Sequence, residues 1–143
     1  MFFIKINKRG NLKMDKIISE AESTVYTKAD SSNTALTMGS GSLEVFATPA
    51  VVALMEKAAC QAIADKLEEG ITTVGTMMWV EHVSASPVGA DISASAVLTG
   101  TDGRKFFFDV FAYDNAGLIA KGKHERFSVN AERFINKTNQ KLN

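Results

Sequence analysis

A curved antiparallel sheet wrapped around one long helix, an α+β fold, is the architecture this sequence predicts. Three observations carry it. One long apolar stretch with helix-start chemistry, Thr48 to about Lys66, is followed by strand-like segments almost to the end of the chain. Those segments lie close together and are separated by turn-forming residues, as antiparallel neighbours require. The helix is apolar over Ala50–Ala64 apart from Glu56, Lys57 and Gln61, so a sheet is expected to cover most of its surface.

The elements follow in order. Residues 19–27 predict a weak first strand. Residues 28–42, rich in Ser, Thr, Gly, Asn and Asp, predict a structureless loop with Gly39-Ser40-Gly41-Ser42 as its most flexible part. Loops of that length in small domains are often lids or binding loops. Leu43–Ala47 leads into the helix, with Thr48 as N-cap, Pro49 at the first helical position, where its missing N–H costs nothing, and Gly70 as the stop. Strands are then expected at Thr72–Ser86, Asp91–Thr99, Lys105–Tyr113 and Leu118–Val129. Their breaks fall at Ser86-Pro87-Val88-Gly89, Asp102-Gly103 and Asp114-Asn115-Ala116-Gly117. Residues 131–143 predict a short helix or a polar tail. One sheet around one helix is the hot-dog architecture, whose open edge commonly pairs with a second copy; a homodimer, or a dimer of dimers, is expected.

Composition narrows the function classes. A chain of 143 residues with 45% hydrophobic content predicts a single globular domain, assigned to residues 14–143, with residues 1–13 as a poorly ordered extension. Sixteen basic and sixteen acidic residues balance to zero, which argues against nucleic acid as the main partner. Cys60 is the single cysteine, so no intrachain disulfide and no Cys-rich zinc site is expected. No apolar run reaches the ~20 residues of a membrane span. The apolar residues at the start precede the basic ones, the reverse of a secretory signal, and a cytoplasmic protein is expected. No metal or cofactor is called for by the two histidines or by any phosphate-binding loop.

Three polar residues stand out against this background. Lys57, Gln61, Asp65 and Glu68 form one solvated helix face, while Val52, Glu56, Ala59, Cys60 and Ile63 share the apolar stripe, so Glu56 is expected to point inward. An inward carboxylate needs a partner or an altered pKa, and either suits acid–base chemistry. Thr48 lies eight residues before Glu56, roughly 80° of rotation and ~12 Å of rise away, so both can line one elongated pocket without touching. His82, by strict alternation, shares a strand face with Val74, Thr76, Met78 and Val80, and that face should turn toward the helix. A hydroxyl, a carboxylate and an imidazole in apolar surroundings can activate a hydroxyl or a water. On spacing alone each has a structural alternative: Thr48 as a simple N-cap, Glu56 as an interface residue, His82 as a packing residue.

The stretch Glu44-Val45-Phe46-Ala47-Thr48-Pro49-Ala50-Val51-Val52-Ala53-Leu54-Met55-Glu56 resembles the helix of the fluoroacetyl-CoA thioesterase-like family of hot-dog proteins. Thr73-Val74-Gly75-Thr76, then Val80-Glu81-His82 and Ala85-Ser86-Pro87-Val88-Gly89, is similar to that family's next strand, and Gly122-Lys123-His124-Glu125-Arg126 to its Gly-x-His-Glu-Arg. The resemblance spans about residues 43–130. It implies hydrolysis of an acyl-CoA thioester by a Thr, Glu and His set that falls on Thr48, Glu56 and His82, with Gly75 beside the thioester. In that family lid phenylalanines gate the fluorinated acyl group. No phenylalanine lies between Tyr26 and Phe46 here, so general thioester hydrolysis without strong fluoroacetyl preference is expected.

Within that reading His124 is expected to be structural, Phe106–Phe108 to serve core and dimer contacts, and Arg104, Lys105, Lys121 and Lys123 to be solvated or to meet coenzyme A phosphates. A non-catalytic acyl-CoA or small-ligand binder of the same fold is the main rival. A hydratase would call for an Asp followed closely by a His, and no Asp-x-x-x-x-His run occurs. A purely structural dimer leaves Glu56 unexplained.

Overall fold

The computed structural model describes residues 21–143. The expected disorder of residues 1–13 lies outside these residues. Five strands, β1 (Glu22–Lys28), β2 (Ile71–His82), β3 (Asp91–Asp102), β4 (Lys105–Asp114) and β5 (Gly117–Asn130), form one sheet in the order β1-β3-β4-β5-β2. Every neighbouring pair is antiparallel. Among the described residues three α-helices accompany it: α1 (Ala35–Met38), α2 (Thr48–Ile63) and α3 (Ala131–Asn139). The hot-dog prediction holds: α2 packs against one face of the sheet.

The core explains the alanine content of α2. Ala58, Ala59 and Ala62 are buried against a sheet face that carries Ala94 and Ala96 on β3, so helix and sheet approach closely. Phe46, Met55, Ile63, Leu98, Phe108 and Ile119 fill the remaining volume, each almost fully buried. Removing such a side chain typically costs ~2–5 kcal/mol.

Several boundaries differ from the sequence reading. The N-cap of α2 is Ala47, which makes no side-chain cap bond, and Thr48 is already helical. Pro49 supplies the start by its fixed φ, which frees the Thr48 hydroxyl for another partner. The α-helix ends at Ile63 and tightens into a 3₁₀ turn over Ala64–Lys66. Gly70, at φ 81°, makes the turn into β2 instead of capping the helix.

The stretch expected to be a structureless loop is folded. The Thr34 hydroxyl, buried, accepts from the Thr37 amide and starts α1, and Gly39 ends it at φ 74°. Amides of Ala35 and Leu36 bond back to the carbonyls of Val45 and Leu43, so the segment doubles over beside the start of α2. Four helical residues carry too little periodicity to be read from sequence.

A bulge in β2 also breaks the expected alternation. Gly75 pairs with Arg126 and Met77 with Glu125, leaving Thr76 as the extra residue. Before the bulge Thr73 and Gly75 face α2; after it Met78, Val80 and His82 do. Val74 and Thr76 therefore do not share the face of His82, contrary to the alternation rule. The bulge is what puts Gly75 and His82, seven residues apart and of opposite parity, on one side of the sheet.

Candidate functional site

The sequence-predicted residues sort into two neighbouring clusters along one line. Thr48, Val52, Glu56 and Cys60 recur every four residues on the side of α2 that faces β2 and β5. α2 packs more closely on β1 and β3 than on β2, so this side is left partly open; Val52, Glu56 and Cys60 are half-buried. Glu56 was expected to be buried on the apolar stripe. It sits instead at the rim of the stripe, with 41% of its side chain exposed and one oxygen turned inward.

The first cluster joins Thr48 to His82. Thr48 Oγ1 and His82 Nδ1 are 2.8 Å apart. With Nδ1 as acceptor the threonine hydroxyl donates, and the ring proton resides on Nε2. His82 Nε2 is buried and has no hydrogen-bond partner among the described residues. A cleft of about 240 Å³ opens here, lined by Thr48, His82, Phe46, Ser84 and, from the doubled-over segment, Ala35 and Ser40. The segment thus stands where a lid would.

The second cluster is built around Arg126, which the sequence reading left without a role. Its Nη1 donates to Glu56 Oε2 at 3.0 Å and lies 3.1 Å from His124 Nε2. Its Nε donates to Thr73 Oγ1 at 2.9 Å and its Nη2 to the Thr73 carbonyl at 3.1 Å. The guanidinium is buried, and its charge is matched by the Glu56 carboxylate. The motif Gly122-Lys123-His124-Glu125-Arg126 held the signal: an arginine and a histidine two apart on a strand share a face, and that face meets the helix carrying Glu56.

His124 completes the cluster as a neutral ring. Its Nδ1 donates to the Met77 carbonyl at 2.8 Å, which leaves Nε2 to accept from Arg126. Burial is the main cause holding the imidazole below its ordinary value of 6.5; the Met77 carbonyl and the nearby Glu56 and Glu125 pull upward, and Arg126 adds to the lowering. The structural role expected for His124 agrees with this position.

Gly75 lies against the same cluster. A Cβ added there would stand 2.5 Å from Glu56 Oε2 and 3.3 Å from Arg126 Nη1. Glycine is therefore required for the carboxylate to approach the strand backbone. The structure thus brings Thr48 to His82, and Glu56 to Gly75 and Arg126. Among the described residues it makes no hydrogen bond between Glu56 and either Thr48 or His82.

Comparison with known proteins gives the same fold. The chain matches the family described as FlK, fluoroacetyl-CoA-specific thioesterase, over residues 29–132. It belongs to the FlK family. The fluoroacetyl-CoA thioesterase of Streptantibioticus cattleyicolor is 40% identical over 98 residues, which cover 68% of this chain and 70% of that protein. A crystal structure of the fluoroacetyl-CoA thioesterase FlK superposes with a TM-score of 0.79 at 32% identity, covering 84% of this chain and 93% of the other. A Thermus thermophilus protein described as a thioesterase superfamily member gives 0.77 at 25% identity, covering 85% and 89%. Membership in the FlK family confirms the resemblance drawn from the helix and strand motifs.

Proposed function

We propose that this chain is a thioester hydrolase that cleaves a small or medium acyl-CoA into the free acid and coenzyme A. The observation that carries the reading is the 2.8 Å contact between Thr48 Oγ1 and His82 Nδ1 at the wall of a cleft. A threonine hydroxyl is a weak nucleophile until a base takes its proton, and an imidazole in direct hydrogen bond is such a base. In this scheme His82 Nδ1 accepts the Thr48 proton as Oγ1 attacks the thioester carbon. The C–S bond then breaks, the proton passes from His82 to the coenzyme A sulfur, and an acyl ester remains on Thr48. A water held by Glu56 attacks that ester, returning the acid and the free hydroxyl. Arg126 holds the Glu56 carboxylate beside Gly75, whose backbone N–H serves the thioester oxygen. No cofactor beyond the coenzyme A of the substrate takes part.

The assembly is proposed as a homodimer. β2 is an edge strand of twelve residues, against seven for the other edge, β1, so it carries the longer row of unpaired backbone groups. Trp79, half exposed, sits on it. Pairing of two copies, alone or as a dimer of dimers, removes that hazard, and sedimentation as a stable monomer at micromolar concentration would contradict it. A cytoplasmic location fits a coenzyme A substrate; no helix among the described residues is long and apolar enough to cross a membrane.

The test is a panel of acyl-CoAs assayed for free thiol. Turnover of acetyl-CoA and somewhat longer acyl groups is expected. The segment that lines the cleft offers Ala35 and Ser40 and no aromatic ring, so fluoroacetyl-CoA should be preferred over acetyl-CoA by less than about tenfold, a small difference for a loosely packed pocket. Binding of coenzyme A without thiol release from any member of the panel would replace hydrolysis with a binding role.

A further inference from the structure

Away from both clusters, the turn between α2 and β2, the β3–β4 turn and the start of α3 enclose a second cleft of about 480 Å³. Its floor is apolar, made by Leu67, Ile71 and Phe106. Its walls carry three cationic side chains, Lys66, Arg104 and Arg133, against one carboxylate, Glu68. The clefts at the Thr48–His82 pair and on the outer sheet face have no comparable excess. The first is lined by no lysine or arginine, and the second holds Lys123 with Glu125 beside it. The other basic residues of the sheet are already paired: Lys105 with Glu125, Lys121 with Glu81 and Lys123 with Asp109.

Arg104 is held ready for an anion. Its Nε and Nη2 donate to the Ser128 carbonyl at 3.2 and 2.9 Å, and its guanidinium stacks 4.6 Å from the centre of the Phe127 ring. That fixes the planar group while leaving Nη1 without a protein partner among the described residues. Among the described residues the Arg133 guanidinium makes no ion pair either, and Lys66 makes one, with its exposed neighbour Asp65. A fixed guanidinium with a second one and an ammonium beside it is suited to phosphate oxygens.

The position of this cleft gives the ligand. The open side of α2 that carries Thr48 and Glu56 runs alongside β2 toward Ile71, which lines the cleft. From Gly75 to Ile71 is four strand residues, about 13 Å, a span that an extended pantetheine arm covers. We propose that the cleft receives the phosphorylated nucleotide end of coenzyme A, with Arg104 and Arg133 pairing phosphate oxygens and Lys66 supplying a third positive charge. The identity of the ligand rests on the thioesterase reading; the anion site itself does not.

The experiment compares acetyl-CoA with S-acetylpantetheine, which carries the same thioester and no phosphate. In the Lys66→Glu/Arg133→Glu double variant, KM for acetyl-CoA should rise at least about tenfold with kcat within about twofold, as expected for lost charge-assisted contacts made equally in ground and transition states. kcat/KM for S-acetylpantetheine should stay unchanged, which also reports that the variant is folded. Glu68→Gln should lower KM for acetyl-CoA alone. Equal losses on both substrates, or no change on either, would overturn the assignment. Calorimetry with free coenzyme A separates the two readings. Wild-type binding that the double variant weakens about tenfold, in a protein that releases no thiol, keeps the anion site and removes hydrolysis. Thiol release that is indifferent to the charge reversals keeps hydrolysis and removes the site.

Discussion

The Thr48–His82 pair and the Arg126 cluster face the same side of α2, yet they are built in opposite ways. Thr48 and His82 share one hydrogen bond at the edge of a cleft, and the far ring nitrogen of His82 has no partner among the described residues. Arg126 is buried and contacts Glu56, His124 and both the hydroxyl and the carbonyl of Thr73. The contrast separates chemistry from support. A group that must exchange a proton keeps a free lone pair or hydrogen; a group that must hold still is tied to several partners at once.

Arg126→Ala breaks the comparison at its stronger end and should have the largest effect on stability. Glu56 is partly solvated, so losing that ion pair costs little by itself. The cost comes from the Thr73 carbonyl and hydroxyl and His124 Nε2, which lose their donor behind the sheet. Unpaired buried polar groups cost ~1–3 kcal/mol each, so a total of about 3 kcal/mol or more is expected. Chemical denaturation measures it. Activity should fall together with stability, and a loss of activity without destabilisation would place Arg126 among the reacting groups.

Gly75→Ala should cut kcat by at least ~10-fold with a smaller effect on stability, because the added methyl meets the end of the Glu56 side chain and turns the carboxylate away. Unchanged kcat would mean that the approach of Glu56 to the strand is incidental.

The smallest effect is expected from pH. The His124 imidazole is held below 6.5 in the folded protein, mainly by burial. As pH falls below about 6.5 the unfolded chain takes up a proton that the folded chain refuses, so stability should drop through that window and level off once the folded ring also titrates. Above it the ring is neutral in both states and contributes no slope. His124→Gln should flatten that part of the stability–pH curve, and an identical slope in the variant would assign the dependence to another group.

Much of this was legible in the sequence. The long helix, the four later strands and their turns followed from apolar periodicity and from Asp-Gly and Asn-Ala-Gly turns, because those signals are local. Spacing and, more firmly, resemblance single out Thr48, Glu56 and His82 as candidates, and Thr48 and His82 do meet. What was not legible depends on non-local geometry. The bulge at Thr76 reverses strand parity, and no local residue announces it. The exposure of Glu56 depends on how α2 tilts over the sheet. Thr48 fits an N-cap by type and position, but the backbone places Ala47 there and leaves the hydroxyl to His82. Arg126 lies within the Gly122–Arg126 motif, but its role depends on β5 and α2 facing one another.

The account rests on the Thr48 hydroxyl, and acetyl-CoA thiol release by wild type, Thr48→Ser and Thr48→Ala measured side by side tests it most directly. The serine variant keeps the oxygen beside His82 and should retain turnover within about tenfold. The alanine variant should lose at least ~10²-fold in kcat, the scale of acid–base assistance to a nucleophile, with stability nearly unchanged because the hydroxyl caps nothing. Turnover by the alanine variant equal to wild type would contradict the account and make the Thr48–His82 contact a packing detail.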